Sequence, residues 1–288
     1  MKILNCFFEE SRYYSPFFNR QEGFRYLIEM DGNHCIETGI YLHYTDNIKR
    51  SIAIDVSCMV GCSEKCFFCS SRNIEYVKGL TPDEMVEEIL LVLNLHHYQD
   101  FEQVVIAFDG IGEPSLIPEQ IISVARSMRS IMPDCAINIS TTGANLNAFR
   151  LWKESDVKWT NLQISATDDS INDLNKIGNI VRLFDEEKMS DYFIEIKFNY
   201  VLIKDLNDKD EHLKRLISIF GGKDYIVKLS KLNNPGSNNR FETSPDERFE
   251  YFSDELRKNN VKNYRFGSLI DSSISCGQLV YLNNNQNG

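Results

Sequence analysis

The chain has 288 residues, 42% of them apolar and 25% charged, with a formal net charge of −11. That length suits one large α/β domain with a sizeable core, and the absence of any apolar run near membrane-spanning length excludes a transmembrane helix. The acidic balance, with no long Lys/Arg run, argues against a partner gripped by a broad basic face, although a local basic face is compatible with it.

Met1 to Glu10 lacks the basic start and small-residue cleavage site of a signal peptide, so a cytoplasmic protein is expected. Residues 1–50 read as an N-terminal β-hairpin extension, in which Phe24 to Glu29 and Cys35 to Tyr44 flank the turn signal Asp31-Gly32-Asn33. Six β-rich runs follow: Ser51 to Ser57, Gln103 to Phe108, Ala136 to Ser140, Asn161 to Ala166, Ile194 to Val201 and Tyr225 to Leu232. Amphipathic stretches separate them, which predicts an α/β fold with a parallel, barrel-like sheet over 51–280. The clearest helix signal is Thr81 to Leu95, with Thr81 as cap, Pro82 in the first turn and Glu84 completing a capping box. The Asn/Gln/Gly-rich tail, 281–288, is expected to be disordered.

Four of the eight cysteines crowd into Cys58 to Cys69, directly after the first parallel strand. In a chain without export signals this points to metal binding rather than disulfides. Cys62, Cys66 and Cys69, spaced C-x3-C-x2-C, can wrap a cubane cluster and leave one iron without a protein ligand. A structural zinc site wants four ligands; Cys58 is a possible fourth, but no second Cys or His pair follows downstream. The isolated Cys6, Cys35 and Cys135 read as small buried hydrophobes.

The cysteine spacing, with an aromatic before its last member, resembles the radical S-adenosylmethionine (SAM) superfamily. Gly110-Ile111-Gly112-Glu113-Pro114 after the second strand resembles that superfamily's GEP segment. Within it, Val60-Gly61-Cys62, Ile139-Ser140-Thr141-Thr142-Gly143, Ile164-Ser165-Ala166 and Cys276-Gly277-Gln278-Leu279 resemble segments of the RlmN/Cfr group, in the same order. Asn233-Asn234-Pro235-Gly236 resembles the group's Asn-Pro segment, with a one-residue ambiguity. The likeness runs from about Gly23 to Leu279.

The resemblance implies a radical SAM partial (β/α)6 barrel, a [4Fe-4S] cluster on Cys62, Cys66 and Cys69, and SAM cleaved reductively to a 5′-deoxyadenosyl radical. It implies SAM contacts from Gly112, Glu113, Ser140, Ser165, Ala166, Thr167 and Asn233 or Asn234. It also implies an electron donor such as flavodoxin or ferredoxin. Cys276 corresponds to the cysteine that is methylated by one SAM and then loses hydrogen from its S-methyl group to a radical from a second, so that the resulting methylene adds to an aromatic carbon. Sulfur suits the first step as a strong nucleophile. Glu37 corresponds to the group's proposed proton acceptor, though a hairpin glutamate ordinarily belongs to a solvated face.

The pattern breaks at Asp55, where the group has a second catalytic cysteine that releases the adduct by forming a disulfide. A carboxylate can take a proton but cannot form that bond. Strand alternation puts Ser51, Ala53 and Asp55 on one face, the small and polar one expected to line the lumen, and gives Cys58 the opposite parity. Asp109 stands where the group tends to have an apolar residue. The accessory domain that the group carries before its hairpin is largely missing from this sequence. Methyl transfer through Cys276 to an sp2 carbon of an RNA base, a peptide or a small molecule is therefore expected. Two alternatives stand beside it: another radical reaction with Cys276 and Asp55 repurposed, and a binding protein that has kept the fold.

Overall fold

A computed structural model describes residues 1–12, 18–32, 34–167, 174–232, 241–266 and 279–280. Twelve strands alternate with six helices among these residues. The strands are β1 (Lys2–Arg12), β2 (Arg20–Met30), β3 (His34–Thr45), β4 (Ile48–Asp55), β5 (Met59–Val60), β6 (Lys78–Gly79), β7 (Gln103–Phe108), β8 (Ala136–Thr141), β9 (Trp159–Ser165), β10 (Phe193–Val201), β11 (Ile226–Ser230) and β12 (Lys262–Phe266). The helices are α1 (Pro82–Leu95), α2 (Pro118–Ile131), α3 (Asn147–Glu154), α4 (Leu174–Glu186), α5 (Asp210–Phe220) and α6 (Asp246–Lys258).

Ten strands form one sheet in the order β1-β2-β3-β4-β7-β8-β9-β10-β11-β12. The first four pair antiparallel, and every pairing from β4 to β12 is parallel. The hairpin is thus β2 and β3, and β3 continues the sheet into β4 with Gly39 opposite Asp55. Six β/α units run from β4 to α6, in agreement with the partial barrel. Four strands have no counterpart among the expected ones: the two-residue β5 and β6, and, in the large sheet, β1 and β12. β12 carries too few apolar residues to announce itself and lies at one sheet edge; β1 lies at the other, where one face needs no cover. Of the isolated cysteines only Cys135 is buried: Cys6, on the edge strand β1, is exposed and Cys35 is half-buried.

Alternation along the parallel strands sorts the chain. Ile52 and Ile54 of β4 with Val56 just after it, Ile106 and Phe108 of β7, and Ile137 and Ile139 of β8 are buried in the main apolar core. The intervening positions carry half-buried polar groups, among them Asp55, Asn138, Ser140, Gln163, Asn199 and Lys228. These line the inner face, and the sheet's curvature brings Lys228 of β11 into electrostatic contact with Asp109 after β7 and with Asp55 of β4. The capping box forms as its residues require, with Thr81 Oγ1 accepting from the Glu84 N–H at 3.3 Å and Glu84 Oε2 accepting from the Thr81 N–H at 2.8 Å. α1 is thereby started at a fixed point just beyond the cysteine loop.

Candidate active site

The cysteine loop is closed by its own small ladder. β5 and β6 pair Met59 with Gly79 and Val60 with Lys78, and the Leu80 N–H donates to the Cys58 carbonyl at 2.9 Å. Between them Gly61 takes φ +72°. Within the loop Lys65 Nζ donates to the Ile74 carbonyl at 2.8 Å, and the Cys69 N–H donates to the Cys66 carbonyl at 3.1 Å. Cys62 is buried, while Cys66 and Cys69 are half-buried. Burial, and then the neighbouring thiols, raise the proton affinity of Cys62 and push Cys66 up to about 12. Cys62 and Cys66 therefore hold their protons until a cation displaces them. No three described His, Cys, Asp or Glu side chains gather around a single-ion position. A cubane takes each thiolate on a separate iron, so this spread-out trio fits a [4Fe-4S] cluster.

The segment after β7 lies against that loop. The Cys58 and Met59 N–H groups both donate to the Ile111 carbonyl, at 2.8 and 3.1 Å, and the Ile111 N–H donates to Ser57 Oγ at 3.1 Å. Ser57 Oγ in turn donates to the Glu37 carbonyl at 2.6 Å, which ties the hairpin to both loops. Gly112 has φ +122°, and a Cβ there would lie 2.6 Å from Cys58 Sγ and 2.8 Å from Met59 Cγ. Gly112→Ala is therefore expected to displace the Glu113 turn and to weaken SAM binding by about tenfold or more, measured by equilibrium dialysis on the reconstituted protein.

Glu113 is buried and accepts from neutral donors: the Ser115 N–H at 2.9 Å, the Thr142 N–H at 2.8 Å and the Thr141 hydroxyl. None of these donors is a cation. A buried carboxyl with no positive hydrogen-bond partner among the described residues suits a cationic ligand, so the site fits the ammonium of SAM. Ser140 Oγ, on β8, accepts from Gln163 Nε2 at 3.1 Å, and Ser165 stands half-buried at the end of β9. Ala166 donates its N–H to the Asn199 carbonyl at 2.8 Å. Thr167 Oγ1 donates to the same carbonyl at 3.3 Å and accepts from the Val201 N–H at 2.8 Å, pinning β9 to β10. Asn233 and Cys276 lie outside the described residues.

Glu37 is fully buried, so the solvated-face expectation for a hairpin glutamate fails. Its Oε1 accepts the Val280 N–H at 2.7 Å, which holds the C-terminal segment against the hairpin. Leu279 and Val280 pack there with Leu27 of β2, Ile74 of the cysteine loop and Ile111 of the Glu113 segment. Asp55 meets Arg25 Nη2 at 3.2 Å, and the same Nη2 donates to the Tyr41 hydroxyl at 2.9 Å. Desolvation by the surrounding protein first, and the Asp55 charge second, raise the proton affinity of Asp109 well above the usual carboxylate range. Lys228 donates to Gln163 Oε1 at 3.0 Å, and burial lowers it to about 8 against the opposing pull of Asp109. Cys58 is buried against Gly112 and Met59, off the inner face that carries Asp55. Arg25, Tyr41, Gln163 and Lys228 carried no local sequence signal, since only closure of the sheet brings them to Asp55 and Asp109.

Comparison with known proteins agrees with this geometry. The family model of the radical SAM superfamily matches residues 56–217. The chain is 30% identical over 281 residues to a probable dual-specificity RNA methyltransferase RlmN of Finegoldia magna, covering 92% of this chain and 76% of that one. It is 28% identical over 278 residues to the dual-specificity RNA methyltransferase RlmN of Nautilia profundicola, covering 88% and 77%. Among solved structures, a radical SAM methyltransferase from Sphaerobacter thermophilus superposes with a TM-score of 0.74 at 22% identity, over 96% of this chain and 80% of that one.

Proposed function

Because the chain belongs to the radical SAM superfamily and groups there with the RlmN-type methyltransferases, we propose that it passes a methyl-derived carbon through Cys276 to an sp2 carbon of an RNA base. The cluster supplies one electron, and SAM supplies both the methyl group and a hydrogen-abstracting radical. Cys62, Cys66 and Cys69 would hold the cluster. Glu113 would take the SAM ammonium, with Gly112 leaving room for the ligand, and Ser140, Ser165, Ala166, Thr167 and Asn233 would complete its contacts along the strand ends. Asp55 and Glu37 would handle protons at the acceptor.

The observation that carries this reading is the seating of the C-terminal segment. Leu279 and Val280 pack on Ile74 and Ile111, and Val280 is tied to Glu37. Leu279 and Val280, the described residues nearest to Cys276 in sequence, thus lie beside the cluster loop and the Glu113 segment, which supports the reading.

The test is peptide-mapping mass spectrometry after anaerobic reconstitution and incubation with methyl-labelled SAM. A labelled methyl on Cys276, lost in Cys276→Ala, is expected, followed by label in added total RNA. SAM cleavage without label on Cys276 would sink the methyl-carrier reading. The carboxylate at position 55 favours the second reading in that event, a radical reaction that transfers no methyl. Label in a peptide or a small-molecule fraction instead of RNA would move the acceptor class.

A further inference from the structure

One directional run of hydrogen bonds crosses the inner face of the sheet. Ser140 of β8 and Gln163 of β9 are direct partners in the parallel register, and Gln163 Nε2 donates to Ser140 Oγ at 3.1 Å. Lys228 of β11 reaches over the intervening β10, and its Nζ donates to Gln163 Oε1 at 3.0 Å. Strands lie about 4.8 Å apart, so crossing β10 spans about 10 Å and takes the length of both side chains. The Lys228 ammonium also stands 4.0 Å from the centre of the Phe266 ring on β12, a second contact that holds it in place.

The chemistry of the three groups fixes the sense of the run. An ammonium has donors and no acceptor, so Gln163 must turn its oxygen toward Lys228 and its NH2 toward Ser140. Burial lowers Lys228 only to about 8, which leaves it charged at neutral pH. Ser140 Oγ already faces a donor and cannot send its own proton back along that line. Among the described residues nothing else accepts this proton. The hydroxyl is half-buried on the inner face, so it presents its proton to the lumen. Glu113, an acceptor among neutral donors, suits the cationic end of SAM. Ser140 is the complement: a donor, with nothing to offer an ammonium or a sulfonium.

We propose that Gln163 and Lys228 are positioning residues that set Ser140 as a hydrogen-bond donor to an acceptor oxygen of SAM, on its carboxylate or its ribose. The proposal rests on the reading that Ser140 contacts SAM, and not on the identity of the methyl acceptor. Lys228 acts on Gln163, and Gln163 acts through Ser140.

Gln163→Glu is the decisive variant, because it keeps the shape and reverses the sense. A carboxylate accepts from Lys228 and from Ser140 alike, so it draws the hydroxyl proton away from the lumen. Its added negative charge would by itself favour a cationic ligand, so a loss of affinity is diagnostic. Equilibrium dialysis of the reconstituted enzyme should show SAM binding weakened about tenfold in Gln163→Glu and in Ser140→Ala. Gln163→Met leaves the hydroxyl free to turn and should cost about threefold or less. Ser140→Ala added to Gln163→Glu should cost nothing further, since the donor is already withdrawn. Decarboxylated SAM separates the two oxygens: the Gln163→Glu loss persists for a ribose contact and disappears for a carboxylate contact. Undiminished binding by Gln163→Glu, an equal loss in Gln163→Met, or a second tenfold loss in the double variant overturns the proposal; melting temperatures show whether each variant has kept its fold. In nitrogen-15-labelled enzyme the Gln163 side-chain amide signal, identified by its absence from Gln163→Glu, should move in both Ser140→Ala and Lys228→Met. A signal unmoved in either variant overturns the run of hydrogen bonds itself. If Ser140→Ala binds SAM as wild type does, the contact reading has failed, and the amide signal still decides the run.

Discussion

Gly61→Ala is expected to lose its iron although all three cluster cysteines remain. Gly61 has φ +72°, where a side chain is strained, and its Cβ would lie 1.9 Å from the Glu75 carbonyl oxygen, 2.5 Å from the Glu75 carbonyl carbon and 2.9 Å from Tyr76 Cα. All three of these atoms are backbone. The left-handed conformation alone costs about 1 kcal/mol for a residue with a Cβ. The clash is larger, because the Glu75–Tyr76 segment cannot swing aside: the Val77 N–H that follows it is bonded to the Val60 carbonyl at 2.9 Å, on the residue just before the glycine. Relief therefore requires opening the ladder between β5 and β6, and this ladder brings the two ends of the cysteine loop together. Iron retained per chain after anaerobic reconstitution should fall at least about tenfold, which corresponds to roughly 1.4 kcal/mol of lost site stability. Cys66→Ser should match or exceed that loss. The melting temperature of the metal-free protein should change much less, since the loop lies outside the ten-stranded sheet. Full iron content in Gly61→Ala would show that the loop closes in another way.

What could be read from the chain before its fold was known divides along a physical line. Features specified by neighbours in sequence were legible: the Thr81–Glu84 box, the hairpin around Gly32, the cysteine spacing, and the inner face of β4 from Ser51, Ala53 and Asp55. Features that depend on how the sheet closes were not. Arg25 reaches Asp55 only through two antiparallel registers, Arg25 with Gly39 and Gly39 with Asp55. Lys228 reaches Asp109 only because the curved sheet returns β11 to the side of β7. A hairpin glutamate looks solvated in sequence, and Glu37 is buried because the C-terminal segment covers it. β12 was illegible for the opposite reason, since an edge strand with exposed positions has little apolar alternation to show.

Glu88 is a carboxyl on the buried face of α1, beside Met85 and Ile89, and it carries a large pH effect. It sits on α1 beside Glu87 with no accessible surface, and its Oε1 accepts from the Thr38 hydroxyl at 2.7 Å and from the Ser57 N–H at 2.9 Å. Burial raises its pKa from 4.5 to about 8, against the lowering influence of those two donors. The folded chain therefore holds a proton that the unfolded chain gives up. Its contribution to stability is fully present below the unfolded value, near pH 4.5, and is lost as pH rises toward 8, beyond which the dependence flattens. A shift of that size corresponds to a loss on the order of 3–5 kcal/mol across the window. Glu88→Gln keeps an acceptor for Thr38 and Ser57 and cannot ionise. Its Nε2 takes the place of Oε2, which is buried without a hydrogen-bond partner, so the variant leaves a donor unsatisfied there at a cost of about 1–3 kcal/mol. Thermal melts should accordingly show wild type ahead or level near pH 5, and the variant overtaking it by several degrees above pH 8. Parallel pH dependences for the two proteins would sink this account. The position matters for the reaction because Thr38 and Ser57 adjoin Glu37 and Cys58: an ionised Glu88 strains the joint where the hairpin, β4 and the cysteine loop meet, so the same alkaline window that costs stability should also loosen the cluster loop.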